Sequence, residues 1–219
     1  MLANRNDQAI SIPGALKLVG IITGTWAILV VLSATLAYLP EHPDFSLFTT
    51  YLSDIGDTAG WPQILFNSGT LIAAPMRYLV IVLLVLRLNQ LGAGRAFVVS
   101  VLIIGFISSS GTILMTAMPF SVAPAIHKSG IGLYFLGVVV LQTVIFFKQW
   151  AMKDIHRILP VLSIIMVIVY LIFLVLFVLY EQGVIGRSAS VIFEWLCFAS
   201  SISWVFTQSI LLGNMDATQ

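Results

Sequence analysis

The chain is poor in almost everything that a soluble enzyme or a nucleic-acid binder needs. Only 9% of its 219 residues are charged, against about 25% in an ordinary soluble domain. Its 10 basic and 9 acidic residues leave a net charge of +1, so no strong field selects a partner. The composition excludes a soluble globular enzyme, a disordered chain and a nucleic-acid-binding protein. There is one cysteine, Cys197, so no internal disulfide can form. Of the three histidines, His42, His127 and His156, no two stand at metal-ligand spacing, and no metal is expected. No glycine-rich phosphate loop is present, since Gly92-Ala93-Gly94 reads as a short turn, and no cofactor is expected. No nucleophile elbow is present either.

What the chain has is apolar length. Hydrophobic residues make up 59%, and the mean hydropathy is +1.06. Crossing ~30 Å of hydrocarbon takes about 20 predominantly apolar residues in a helix. Six such runs occur, at about 17–39, 63–87, 96–118, 128–148, 159–180 and 189–212. Backbone groups in lipid must be satisfied within the segment, and the run from Val161 to Tyr180 lacks the alternation of a barrel strand. The expectation is an all-α polytopic membrane protein, a single six-helix transmembrane domain over 1–219. The weak cleavage pattern Thr35-Leu36-Ala37 follows a run too long for a signal core, so the first span is read as retained. The tail from Gly213 is polar and is expected to fray.

Basic residues set the expected orientation. Arg5, Lys17, Arg87, Arg95, Lys148, Lys153 and Arg157 fall on one side, with Lys128 and Arg187 alone on the other. Both termini are therefore expected in the cytoplasm, in a plasma or inner membrane. The opposite face is mildly acidic, with Glu41, Asp44, Asp54, Asp57 and Glu181. Tyr38, Trp61 and Tyr180 mark the outer interface and Trp150 the inner one.

The first outer connection is long. Phe45, Phe48, Leu52 and Ile55 recur there at helical spacing, with Asp44 to open and Gly56 to close. This predicts an amphipathic surface helix near 44–56, either a plain cover for helix ends or a lid over a site. Asp54 would then lie in the last turn, where the dipole opposes a negative charge, so an N–H group, a base or a ligand is expected to hold it.

Ionisable residues inside spans are costly and stand out as candidate functional groups. Here they are Arg77 and Glu194. Arg77 follows Pro75, which frees the Leu71 carbonyl. Arg77 either snorkels to the inner interface or faces the bundle and binds a carboxylate, carbonyls or a lipid headgroup. Glu194 lies nearer the outer face, so a direct pair between the two is not expected. Asn67, Ser68, Ser108 to Ser110, Thr112, Thr116, His127 and Lys128 share the outer half. Hydroxyl and small residues also serve helix packing, as does Gly20-Ile21-Ile22-Thr23-Gly24. Cys197 reads as an apolar filler.

Certain motifs carry a resemblance. Tyr51-Leu52-Ser53-Asp54-Ile55-Gly56 is followed by Pro62 and by Phe66-Asn67-Ser68-Gly69. Met118-Pro119-Phe120 is followed by His127. Between about Tyr51 and Gly137 the chain resembles a bacterial six-span membrane family, domain of unknown function 998. That family is similar in turn to the damage-regulated autophagy modulator superfamily, which includes proteins of GPI-lipid remodelling and of plasma-membrane lipid organisation. In the autophagy-modulator branch, Ser-Asp-x-Gly is commonly preceded by Pro and followed by Pro-Glu. Here Thr49-Thr50-Tyr51-Leu52 precedes Ser53, and Gln63 follows Pro62. The resemblance implies a lipid-facing role with Ser53, Asp54, Asn67 and His127 near one another, and leaves any reaction open.

The leading functional expectation is lipid handling at the outer leaflet. The candidate catalytic residues are His127, Asp54, Ser53 and Glu194. The candidate ligand-binding residues are Arg77, Asn67, His127, Lys128, Glu194 and Ser109. Asp54 would fix His127 or the loop, His127 and Lys128 would meet a phosphate, and Arg77 would anchor buried negative charge. The partners would be membrane lipids. An accessory subunit bound to other membrane proteins is the alternative, and a small-molecule transporter a weaker one, because no repeat is visible.

Overall fold

A computed structural model describes residues 11–215. Arg5 and the last four tail positions lie outside the described residues. The described residues form helices α1 (Ile12–Tyr38), α2 (Leu52–Asp57), α3 (Trp61–Gln90), α4 (Arg95–Ala117), α5 (Pro124–Ala151), α6 (Ile158–Glu181) and α7 (Ser188–Asn214), with no strand among them. All but α2 are long and apolar enough to cross a membrane. Each spanning helix starts and ends within about five residues of its apolar run, mostly running on past it, because the helix continues into the interface. Gly213 and Asn214 belong to α7, and Asn214 accepts a bond from Lys17 at 3.0 Å, so the tail is helical for longer than expected.

The six spanning helices form a closed ring. Each packs on its sequence neighbour in the order α1–α3–α4–α5–α6–α7, and α7 returns to α1. An even number of crossings puts the start of α1 and the end of α7 at one end, here the terminal end. The other end, covered by α2, is the lid end. Close helix approach closes the ring. On α4 and α5 a Cβ added at Gly111 would lie 2.5 Å from the Tyr134 nitrogen, and one at Gly130 would lie 2.5 Å from the Met115 nitrogen. The backbones touch there, as small residues allow in a membrane. Gly20 and Gly24 of α1 instead make room for the side chains of Ser209 and Phe206 of α7.

The terminal half of the ring is filled. Leu16, Leu84, Val101, Ile145, Leu159 and Leu212 are fully buried there. Outward-facing residues such as Leu32, Ile103, Leu136 and Val175 are apolar and exposed, as a lipid-facing surface requires.

The long connection differs from expectation. Helix forms only over Leu52–Asp57, and 39–51 is a series of turns. Pro43 disfavours helix at the residue before it. Ser46 and Thr50 then compete for the backbone, with Ser46 Oγ accepting from Phe48 N at 3.1 Å and Thr50 Oγ1 from Ser46 N at 3.4 Å. Asp44 therefore caps nothing. Asp54 sits in the first turn of α2, where its charge suits the helix end, and not in the last. Tyr38, expected at the interface, is buried beneath His42, which stacks on it at 4.0 Å, and Phe45.

Candidate functional site

The lid is tied down at both ends. At its start, Asp54 Oδ2 accepts the Tyr51 N–H at 2.8 Å and pairs with Arg187 at 2.5 Å. Glu194, reaching across from α7, accepts the Leu52 N–H at 2.6 Å, with the Ser53 amide and hydroxyl beside it. Leu52 is the first residue of α2, so its N–H has no partner within the helix, and the carboxylate supplies one. Tyr51 bonds Ser190 through its hydroxyl, with the Arg187 guanidinium 4.8 Å over its ring. Burial pushes the Tyr51 phenol above its ordinary pKa, so it stays neutral. Trp195 Nε1 donates to the Thr50 carbonyl at 2.9 Å. At the far end of α2, Asn67 Nδ2 donates to the Gly56 carbonyl at 2.8 Å, and Asp57 accepts from the Ser121 amide and hydroxyl. The first turn of α2 thus hangs from α7, and its last from α3 and the α4–α5 connection.

Beneath the lid the ring encloses a cavity of about 250 Å³, to which all seven helices contribute. Along α7 its lining runs from Glu194 to Val205, ~16 Å of helix. That is about one leaflet, half of a ~30 Å hydrocarbon core. Its walls differ in character. Asn67, Thr70 and Arg77 on α3, with Thr112 and Thr116 on α4, give a polar track from the lid downward. Opposite stand Val30 and Val31 of α1, Phe173 and Phe177 of α6, and Phe198 and Ile202 of α7.

Arg77 lies at the deep end of the track. It faces the bundle and does not snorkel. Its Nη2 donates to Ser108 Oγ at 3.1 Å and Ser109 Oγ at 3.3 Å, and its Cζ sits 4.7 Å over the Tyr134 ring. The Tyr134 hydroxyl meets that of Tyr170 at 3.0 Å, which meets Ser201 Oγ at 2.5 Å. These groups form a polar floor across α3, α4, α5, α6 and α7. Two buried polar atoms of the lining have no partner among the described residues: Arg77 Nε and Thr112 Oγ1. Arg77 is paired with no carboxylate. Among the described residues the ion pairs are Lys128–Glu181 and Asp54–Arg187.

Five of the sequence-picked candidates, Ser53, Asn67, Arg77, His127 and Glu194, line this one cavity. Three do not. Ser109 serves behind Arg77 as an acceptor. Asp54 fixes the loop and not His127. Lys128 is spent on Glu181 and lies 5.4 Å over the Phe120 ring. His127 Nδ1 meets the Met118 carbonyl at 3.0 Å. A carbonyl only accepts, so Nδ1 carries the proton and, in the neutral ring, Nε2 is the acceptor. His42, stacked on Tyr38, does not share His127's partner. Cys197 is buried at the lining, its thiol 3.9 Å from the Val169 carbonyl.

Tyr134, Tyr170 and Arg187 were not picked out as site residues in the sequence. His127, Ile131 and Tyr134 recur at i, i+4 and i+7 and all line the cavity, a pattern readable on α5. Arg187 could have been noticed as a cation on an otherwise acidic face, next to an Asp54 in need of a partner.

No curated protein and no solved structure matches the chain. A family match covers residues 15–211, nearly the whole ring and well beyond the stretch that carries the sequence motifs. The matched residues take in both the lid motif around Ser53 and the six-helix ring, and the chain is a member of the Frag1/DRAM/Sfk1/Cwh43P N-terminal domain family.

Proposed function

We propose that this integral membrane protein holds a lipid of the outer leaflet in its central cavity, with α2 as the cover of the mouth. The lid end faces outward and both termini face the cytoplasm. The bias of Lys and Arg supports this: Lys17, Arg87, Arg95, Lys148, Lys153 and Arg157 gather at the terminal end. One observation carries the reading. The cavity is about one leaflet long, with amide, hydroxyl and guanidinium groups along α3 and α4 and mainly apolar side chains along α1, α6 and α7 between Glu194 at the mouth and Tyr170 and Ser201 at the floor, which suits an amphiphile. A transporter site would instead lie at a repeat interface near the midplane, whereas this cavity ends over a filled terminal half.

The test is native mass spectrometry of protein extracted gently from its own membrane, with identification of what stays bound. A single retained lipid class is expected. It should be lost in Ala27→Phe, which puts a ring into the cavity from α1. A stoichiometric protein partner with no selective lipid would overturn the reading and make the chain an accessory subunit.

A further inference from the structure

We propose that the floor of the cavity is an anion subsite, in which Arg77 Nε and Thr112 Oγ1 bind the carboxylate or phosphate oxygens of a ligand whose charged end lies deep in the bundle. This rests on the reading of the cavity as a ligand site and adds the chemistry and direction of the ligand.

Arg77 carries an unbalanced charge. Arg77 stands in the middle of a spanning helix, and its protein partners are two neutral hydroxyls and the face of a tyrosine ring. A guanidinium at that depth is costly without an anionic partner. Its fork is only half used. Nη2 is held by Ser108 and Ser109, while Nε is buried without an acceptor. The held Nη2 fixes the orientation of the plane, and Nε and Nη1, neither bonded to an acceptor among the described residues, remain for a carboxylate or phosphate oxygen.

Thr112 is the second, independent observation. It is 7% exposed, lines the cavity, and its hydroxyl has no partner. A threonine in a helix ordinarily returns its hydroxyl to the carbonyl four residues back, as Thr23 does to Val19 at 2.7 Å. Thr112 lies one turn toward the lid from Ser108, on the same face of α4, and so stands above the Arg77 contact. Thr116 follows one turn further, leading to the mouth. Two residues that line one cavity, one of them cationic, therefore each carry an unsatisfied donor. No carboxylate among the described residues is paired with Arg77. An uncharged ligand would leave the cation unbalanced.

The oxygens can belong to the acid end of a lipid-like amphiphile or to a free anion, and the probes separate these. Palmitate, methyl palmitate and inorganic phosphate are titrated into the purified full-length chain, with the rise in melting temperature as the readout. Palmitate is expected to bind at least about tenfold more tightly than its methyl ester, because only the acid offers a charge-assisted bond. Thr112→Val is expected to weaken palmitate binding about fivefold and leave the ester unchanged. Arg77→Gln should make acid and ester equal. Thr112→Val also guards against a folding artefact. It removes a hydroxyl that bonds nothing in the protein, so the ligand-free variant should melt no lower than the parent. A merely structural threonine would give a lower melting temperature and an unchanged acid preference, which would overturn the proposal. Equal binding of acid and ester by the parent would also overturn it, while leaving the lipid cavity standing. Binding of phosphate, lost in Arg77→Gln, with neither chain bound, would keep the subsite and remove the lipid reading.

Discussion

The terminal half and the lid half of the bundle both bury polar side chains, but they satisfy them differently. In the terminal half the groups close on one another. Gln149 and Gln208, both fully buried, exchange two amide bonds of 2.7 and 3.2 Å, and Gln208 also donates to the Leu159 carbonyl. Trp204 Nε1 donates to Ser163 Oγ at 3.0 Å. Arg87, also fully buried, donates to the Leu212 and Met215 carbonyls and to Gln90, capping the end of α7. Unpartnered Gln142 Oε1 and Ser209 Oγ occur as well, but neither lines the cavity. In the lid half the same kinds of group border empty space, and an arginine is left with an unused donor over it. Burial of a polar group therefore has two solutions in this fold. One is internal closure, which fixes helices to one another. The other borders the cavity, where Arg77 Nε and Thr112 Oγ1 have no partner among the described residues.

Replacing Arg87 should have the largest effect. Arg87→Met keeps much of the volume and takes the guanidinium from the Leu212 and Met215 carbonyls at the end of α7. A loss of about 2–4 kcal/mol is expected, seen as a clear drop in melting temperature in detergent. Arg77→Gln should cost far less in the ligand-free protein, since its neutral partners already bond weakly. Similar losses for the two would mean that both arginines are structural.

The glutamine pair refines the same point. Gln208→Leu alone leaves Gln149 unsatisfied and should cost about 1–2 kcal/mol. Adding Gln149→Leu should recover much of that, because an apolar pair strands no polar side chain. Additive losses in a double-mutant cycle would refute the closed-network view.

These two arginines also mark the limit of what the sequence reveals. Hydropathy alone places all six spans, because a lipid solvent demands long apolar helices whatever their packing. It ranks Arg77 correctly as unusual, since a charge within an apolar run has no cheap explanation. It misses Arg87, because a charge at the end of a run looks the same whether it meets water or a helix C-terminus. The surface-helix expectation goes astray for a related reason. Phe45, Phe48, Leu52 and Ile55 have helical spacing, yet Phe45 packs on Tyr38 and Trp195 while Phe48 is exposed. Local hydroxyl bonds at Ser46 and Thr50 decide the backbone there, and apolar spacing does not register them. Glu194 was legible as a cost but not as a cap, because its partner, Leu52 N, lies 142 residues away in the chain.

The lid joins the two halves of the argument and should show an intermediate effect. Glu194→Gln weakens a carboxylate bond to the Leu52 amide, and Asp54→Asn weakens the tie to Arg187. The Asp54–Arg187 pair is 35% and 40% exposed, so its share stays under about 1 kcal/mol. Hydrogen exchange of the amides at 51–56 should quicken about five- to tenfold in either variant, with little change in global melting. Unchanged exchange would mean that the aromatic contacts of Phe45 and Trp195 alone hold the loop.

The smallest effect should come from Lys128, and it discriminates between the mouth and the floor as the place where charge is read. Lys128 stands at the lid end of α5, where a headgroup phosphate entering from outside would meet it first. Its ammonium is instead held by Glu181, with side chains 44% and 35% exposed. An exposed pair of this kind contributes about 0–1 kcal/mol and fades with salt. Lys128→Ala should therefore change the melting temperature very little. It should leave lipid retention in native mass spectrometry unchanged, while Arg77→Gln removes it. The reverse order would place the anion at the mouth. Arg77 would then be a packing residue whose unused donor has no ligand, and the cavity would accept only an uncharged chain.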